Sequence, residues 1–153
     1  MPDISDIAPD FTLPAAGTGE IQLSALRGAP VVLFFYPRDD TSGCTREALD
    51  FTALAADFDK IGTRVIGISK DSVVKHEKFR DKHGLTVPLA SDEHGTTCED
   101  YGVWTEKKMY GKTFMGIERS TFLIGADGRI ARVWRKVKVP GHAQEVLEAA
   151  RSL

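Results

Sequence analysis

Val31-Val32-Leu33-Phe34-Phe35-Tyr36 is an unbroken run of aliphatic, β-branched and aromatic residues, closed by Pro37. A strand with one wet face alternates apolar and polar residues; this run does not alternate, so it demands cover on both faces. The chain supplies cover directly downstream. Thr45–Lys60 carries Ala48, Phe51, Ala55 and Phe58 at three- and four-residue spacing, which predicts a helix with one apolar stripe. A doubly buried strand feeding an amphipathic helix is the opening unit of an α/β domain.

The remaining pattern extends that unit. Phe11–Leu13 and Ile21–Leu23 read as short strands around the turn Ala16–Glu20, and Gly28 closes a further turn. Arg64–Ser69 reads as a second buried strand. Asp71 or Ser72 caps a helix that runs to His83 and stops at Gly84. Val87–Ala90 reads as a strand and Glu93–Tyr101 as a short helix. Thr121–Ile124 and Arg129–Trp134 flank Gly125-Ala126-Asp127-Gly128, a hairpin signal, and His142–Ser152 closes as a helix. This order predicts a three-layer α/β sandwich around a central mixed β-sheet, one domain over residues 1–153.

Composition excludes several functions. The net charge is -2, from 20 Lys+Arg and 22 Asp+Glu, so the basic field of a nucleic-acid binder is missing. The N-terminal MPDISDIAPDF has no basic start followed by an apolar core, so no secretory leader is expected. No apolar run approaches the ~18–20 residues of a membrane span. The expected setting is the cytoplasm, where the 2 cysteines, Cys44 and Cys98, are thiols. Neither Cys-x-x-Cys nor a metal-spaced His/Cys set is present, and no metal or cofactor is expected.

Chemistry in open α/β sheets gathers at the carboxyl ends of strands. Pro37-Arg38-Asp39-Asp40-Thr41-Ser42-Gly43-Cys44 lies there, between the buried strand and its helix. A cysteine in the first turn of a helix meets unpaired N–H groups and the positive end of the helix dipole, both of which favour a thiolate. In such places cysteine pKa values fall from ~8.5 to between ~3.5 and ~7.5. Thr41 presents a hydroxyl to the same space, and Pro37 walls it without offering a donor. Arg119, just before the strand Thr121–Ile124, is the candidate cation. Each residue also has a plainer role. Cys44 serves as a small buried hydrophobe, Thr41 as a helix cap, Pro37 as a strand terminator and Arg119 as a solvated charge.

Pro37-x-x-x-Thr41-x-x-Cys44 resembles the active-site signature of peroxiredoxins. FYPRDDTSGCTREAL is similar to the bacterioferritin-comigratory-protein, or peroxiredoxin Q, branch. The likeness continues in order through Ala8-Pro9-Asp10-Phe11, Gly67–Ser72, Pro88–Asp92, Tyr101–Trp104, Glu118–Ile124 and Trp134–Val139, into Gly141-His142. It implies a thioredoxin-like fold and thiol-dependent reduction of hydrogen peroxide and organic hydroperoxides. It also implies recycling by thioredoxin or another thiol, and a monomer, with a dimer as the alternative. Carried over, Cys44 is the peroxidatic cysteine, Thr41 and Arg119 hold the peroxide and stabilise the thiolate, and Pro37 shields the site.

The chain departs from the branch in one respect. Leu49 stands where many members carry a resolving cysteine, and Lys78–Lys82, the other usual place, has none. The remaining candidate is Cys98; otherwise the sulfenic acid of Cys44 awaits an outside thiol. Rival functions are a non-enzymatic peroxide sensor, redox relay or chaperone using the same Cys44, and a structural module with an inert cysteine. A thioredoxin-type disulfide oxidoreductase lacks its paired cysteine. His76, on the helix face of Phe79, reads as a packing or surface residue. Trp104, Tyr110, Phe114 and Met115 are candidates for an apolar mouth beside Cys44, or for plain packing. The basic clusters Lys107-Lys108, Lys112 and Arg135-Lys136 read as a solvated surface or a reductase dock.

Overall fold

A computed structural model describes residues 2–153. The strands are β1 (Thr12–Ala16), β2 (Gly19–Gln22), β3 (Val31–Phe35), β4 (Arg64–Ser69), β5 (Leu89–Ser91), β6 (Trp104–Met109), β7 (Lys112–Ile117), β8 (Ser120–Ile124) and β9 (Ile130–Trp134). The helices are α1 (Ser42–Ala53), α2 (Ala55–Lys60), α3 (Val73–His83), α4 (Thr97–Asp100) and α5 (His142–Arg151), with a 3-10 turn at Leu23–Leu26. Seven strands form one mixed sheet in the order β2-β1-β5-β4-β3-β8-β9, and β6 pairs with β7 apart from it. β3, β4 and β5 run parallel, while β8 lies antiparallel to β3.

The apolar run behaves as its composition demands. All five residues of β3 are buried. Val32, Phe34 and Tyr36 join one apolar cluster with Cys44, Phe51, Phe58, Phe79, Val146 and Leu147, from α1, α2, α3 and α5. Val31, Leu33 and Phe35 join another with Leu23, Cys98, Tyr101, Ile117 and Phe122. The pleat sends alternate side chains to opposite faces, so each cluster covers one face of the sheet.

Two expectations need correction, and one element was not expected. The helix over Thr45–Lys60 starts at Ser42 and divides at Leu54, whose N–H turns back to the Phe51 carbonyl. The helix over Glu93–Tyr101 shrinks to α4, because the Asp92 carboxylate accepts the N–H groups of Thr97 and Cys98 and so caps the helix from outside it. Residues 104–117 form a hairpin that the sequence pattern does not announce. Its turn, Tyr110-Gly111, has both φ angles positive (51° and 75°), the twist a two-residue hairpin requires.

Candidate active site

The register of the sheet assembles the site. β3 pairs with β8 so that Phe35 faces Ser120, which brings Arg119 beside the carboxyl end of β3. The chain leaves β3 through Pro37 and turns into α1, with Thr41 as the residue before the helix. Asp40 takes a left-handed φ of 61° to make that turn. Cys44 is the third residue of α1, and the N–H groups of Ser42, Gly43 and Cys44 have no partner within the helix.

Cys44 is 1% exposed. The Nη2 of Arg119 donates to Cys44 Sγ at 3.2 Å, and its Nη1 donates to Glu47 Oε1 at 2.8 Å. One guanidinium thus spans two acceptors a helical turn apart, using the fork that lysine lacks. Gly43 leaves room for that approach: a Cβ there would stand 3.2 Å from Arg119 Nη2, tight enough to press the guanidinium aside by a few tenths of an ångström. Burial works against the Arg119 charge, but Glu47 and Cys44 together hold its pKa above the ordinary guanidinium value. Burial pushes the Glu47 carboxyl up to about 7, against the pull of Arg119. Glu47 Oε2 is buried with no hydrogen-bond partner. Glu47 lies three residues after Cys44 on the same helix, and that spacing was the signal for it.

Thr41 does not cap α1 with its side chain. Its Oγ1 donates to the Arg38 carbonyl at 2.9 Å. With the proton so committed, the hydroxyl oxygen is left as an acceptor. Pro37 is exposed at the end of β3, where it offers no N–H.

Cys98 belongs to the cluster on the opposite face of the sheet from Cys44, and it is 0% exposed. Burial, and then the Asp92 carboxylate, push its thiol above the ordinary range. The Lys70 ammonium opposes that rise only in part. The four residues weighed for an apolar mouth have different surroundings. Trp104 packs against the Cys98 face with the Lys70 ammonium 5.0 Å from its ring centre, Tyr110 is 96% exposed, and Phe114 and Met115 are exposed on the hairpin. His76 is fully buried and hydrogen-bonded through both ring nitrogens, so it is neither a surface residue nor simple packing.

The AhpC/TSA family profile matches residues 4–133. The chain belongs to this peroxiredoxin family. A peroxiredoxin Bcp of Xanthomonas campestris is 48% identical over 147 residues, 95% of this chain and 92% of the relative. One from Bacillus subtilis is 43% identical over 151 residues, 99% and 96% of the two chains. Among solved structures, the Xanthomonas campestris bacterioferritin comigratory protein, studied for alkyl peroxide reduction in trapped intermediate and ligand complexes, aligns with a TM-score of 0.90. It is 43% identical, with 99% of this chain and 97% of that chain covered. A cysteine-to-serine mutant of Xylella fastidiosa peroxiredoxin Q aligns with a TM-score of 0.93 and 41% identity, covering 99% and 97%. The fold of this peroxiredoxin is therefore the thioredoxin-like one expected, and its activity is thiol-dependent peroxide reduction. Its substrates are peroxides and its reductant is a thiol. Among the described residues, no helix is long and apolar enough to cross a membrane.

Proposed function

We propose that residues 1–153 act as one domain whose peroxidatic nucleophile is Cys44, working by a one-cysteine mechanism. The observation that carries the reading is the Arg119 guanidinium 3.2 Å from Cys44 Sγ in the first turn of α1. A cation and unpaired amides around a buried sulfur favour the thiolate, the attacking form. Thr41 Oγ1 accepts the O–H of the bound hydroperoxide, which orients its terminal oxygen toward Sγ. The thiolate attacks that oxygen, the S–O bond forms and the O–O bond breaks. The alkoxide or hydroxide leaves with the electron pair and is protonated, and Cys44 becomes a sulfenic acid. Arg119 and the amides of Gly43 and Cys44 stabilise the charge that develops on the peroxide oxygens. Pro37 shields the site without competing as a donor.

Cys98 does not resolve the sulfenic acid in this reading. A disulfide needs Cα atoms within ~7 Å, and the two sulfurs belong to clusters on opposite faces of the sheet. An outside thiol attacks the sulfenic sulfur, water leaves, and a second thiol frees Cys44 from the mixed disulfide. Thioredoxin is the proposed reductant, alkyl hydroperoxides are substrates beside hydrogen peroxide as in the Xanthomonas relative, and the working form is a cytoplasmic monomer.

The test is direct. The reduced protein receives one equivalent of peroxide and then a sulfenic-acid trap, and its intact mass is taken without reductant. An adduct on Cys44 is expected. Loss of two hydrogens with no adduct would assign resolution to Cys98, and an unoxidised Cys44 would end the reading.

A further inference from the structure

The residues between β3 and α1 are held by a buried polar cluster outside the site itself. Pro37, Arg38, Asp40 and Thr41 are exposed, but Asp39 is buried. Its Oδ1 accepts from the Tyr36 hydroxyl at 2.6 Å, and its Oδ2 lies 2.6 Å from His76 Nδ1. Its N–H donates to Asp71 Oδ2 at 2.8 Å, and that carboxylate oxygen also accepts from Ser69 Oγ at 2.7 Å. His76 Nε2 is 3.0 Å from the Ala90 carbonyl oxygen.

The proton positions follow from the partners. A carbonyl only accepts, so Nε2 carries a proton. The remaining ring nitrogen, Nδ1, faces the Asp39 carboxylate, with the Tyr36 hydroxyl 3.3 Å away. Burial, and then Asp39, raise the Tyr36 phenol well above its ordinary pKa, so it stays a donor. Asp39, Asp71 and His76 bring their ligating atoms within 4.8 Å of one another, but these atoms already have hydrogen-bonding partners.

The link to the chemistry is a single peptide group. The Arg38 carbonyl and the Asp39 N–H belong to the same planar unit. Its N–H side is fixed by Asp71, and its carbonyl side takes the proton of Thr41 Oγ1. Whatever orients that peptide therefore decides whether Thr41 is presented as a donor or as an acceptor.

We infer that His76, Asp39 and Asp71 are positioning residues for peroxide reduction: they fix the Arg38–Asp39 peptide, which holds the Thr41 hydroxyl as an acceptor for the hydroperoxide O–H. The inference rests on the reading of Thr41 given above. It gives the buried histidine of α3 a part in a reaction whose sulfur it does not touch.

The experiment compares two rates on the same sulfur. Oxidation of Cys44 by hydrogen peroxide uses the Thr41 acceptor; alkylation by iodoacetamide does not, and reports only thiolate and access. In His76→Leu the peroxide rate constant falls roughly ten- to a hundredfold, the scale of an ångström's misplacement, while alkylation stays within about twofold. His76→Asn, which returns a donor near the Nδ1 position, restores most of the peroxide rate. Asp39→Asn is nearly isosteric and carries the same test if the leucine variant does not fold, because its amide cannot accept from both Tyr36 and His76. An unchanged peroxide rate in a folded variant, or equal losses in both reactions, overturns the inference. Thr41→Val separates the two levels. If it also leaves the peroxide rate unchanged, the reading of Thr41 fails. If it alone lowers the rate, Thr41 stands and the positioning role of His76 falls.

Discussion

Arg119→Met tests the electrostatic core of the proposed mechanism. The guanidinium nitrogen is 3.2 Å from Cys44 Sγ. A full charge pair at that distance is worth about 5 kcal/mol at an effective dielectric near 20, and a little over 1 kcal/mol in water. The Arg119 side chain is only 15% exposed, so the site lies toward the first limit. Part of the loss is returned, because Glu47 without its cation takes up a proton and ceases to repel the thiolate. A net loss of about 2–4 kcal/mol remains, or roughly thirty- to several-hundredfold in kcat/KM. Stopped-flow Trp fluorescence at excess peroxide measures it. Alkylation of Cys44 should slow as well, since both reactions need the thiolate. Arg119→Lys keeps a charge but cannot span Cys44 and Glu47 together, so it should fall between the two. A folded Arg119→Met protein within about threefold of the parent in both reactions would refute the assignment.

Gly43→Ala should separate stability from activity. Alanine in place of glycine favours helix by about 1 kcal/mol, but its Cβ would press Arg119 Nη2 from 3.2 Å, so the melting temperature should hold or rise while the peroxide rate falls severalfold. Cys98→Ala should leave turnover with an outside thiol intact and lower the melting temperature by a few degrees, about the cost of a small buried cavity; loss of turnover in a folded variant would return Cys98 to the mechanism. The pH dependence of stability holds two opposed contributions. Glu47 is raised from 4.5 to about 7, so the folded state binds the extra proton and stability falls as pH climbs through that window. Burial lowers His142 from 6.5 to about 4, so the unfolded state binds the extra proton and stability rises with pH between those values. Each is worth at most about 3 kcal/mol, and they nearly cancel between about 4.5 and 6.5. Glu47→Gln should therefore unmask a rising urea midpoint over that range, and His142→Gln a falling one; flat profiles in both would remove the pair of shifts.

What was legible in the sequence follows from where the physics is local. The β3 run, the Ser72 and Gly84 ends of α3 and the Gly125–Gly128 turn all announce themselves through side-chain type and spacing, and each is found. Ser72 Oγ accepts the Lys75 N–H, and Gly84 takes the left-handed angle that ends the helix. The β6–β7 hairpin was not legible because most of it is exposed. Lys107, Lys108 and Lys112 bring no apolar alternation, and only Gly111 hints at the turn. The strand-to-helix junction places Cys44 and Thr41 together at the start of α1. Arg119 was named only as a candidate cation before its strand, and what brings it to Cys44 is the β3–β8 register, which pairs residues 85 positions apart. His76 shows the same limit: its spacing from Phe79 marks a buried face, but not the carboxylate and carbonyl that await it there.

On the reading of Cys44 as the nucleophile, its burial sets two demands on the same helix turn. At 1% exposure, Cys44 Sγ lies too deep for a thiol carried on a protein to approach it in line. The first turn of α1 must therefore open before resolution. Oxidation itself changes what holds that turn. While the sulfur is a thiolate, the Arg119 bond to it is charge-assisted on both sides; once the sulfur is a neutral sulfenic acid, only the guanidinium charge remains and the bond weakens. Arg119 also donates to Glu47, one turn further along α1, a bond that takes no charge from the sulfur, so oxidation weakens the hold on the first turn rather than the anchor on the body of the helix. The turn is then closed most firmly when the sulfur is ready to attack, and least firmly when it waits for its reductant.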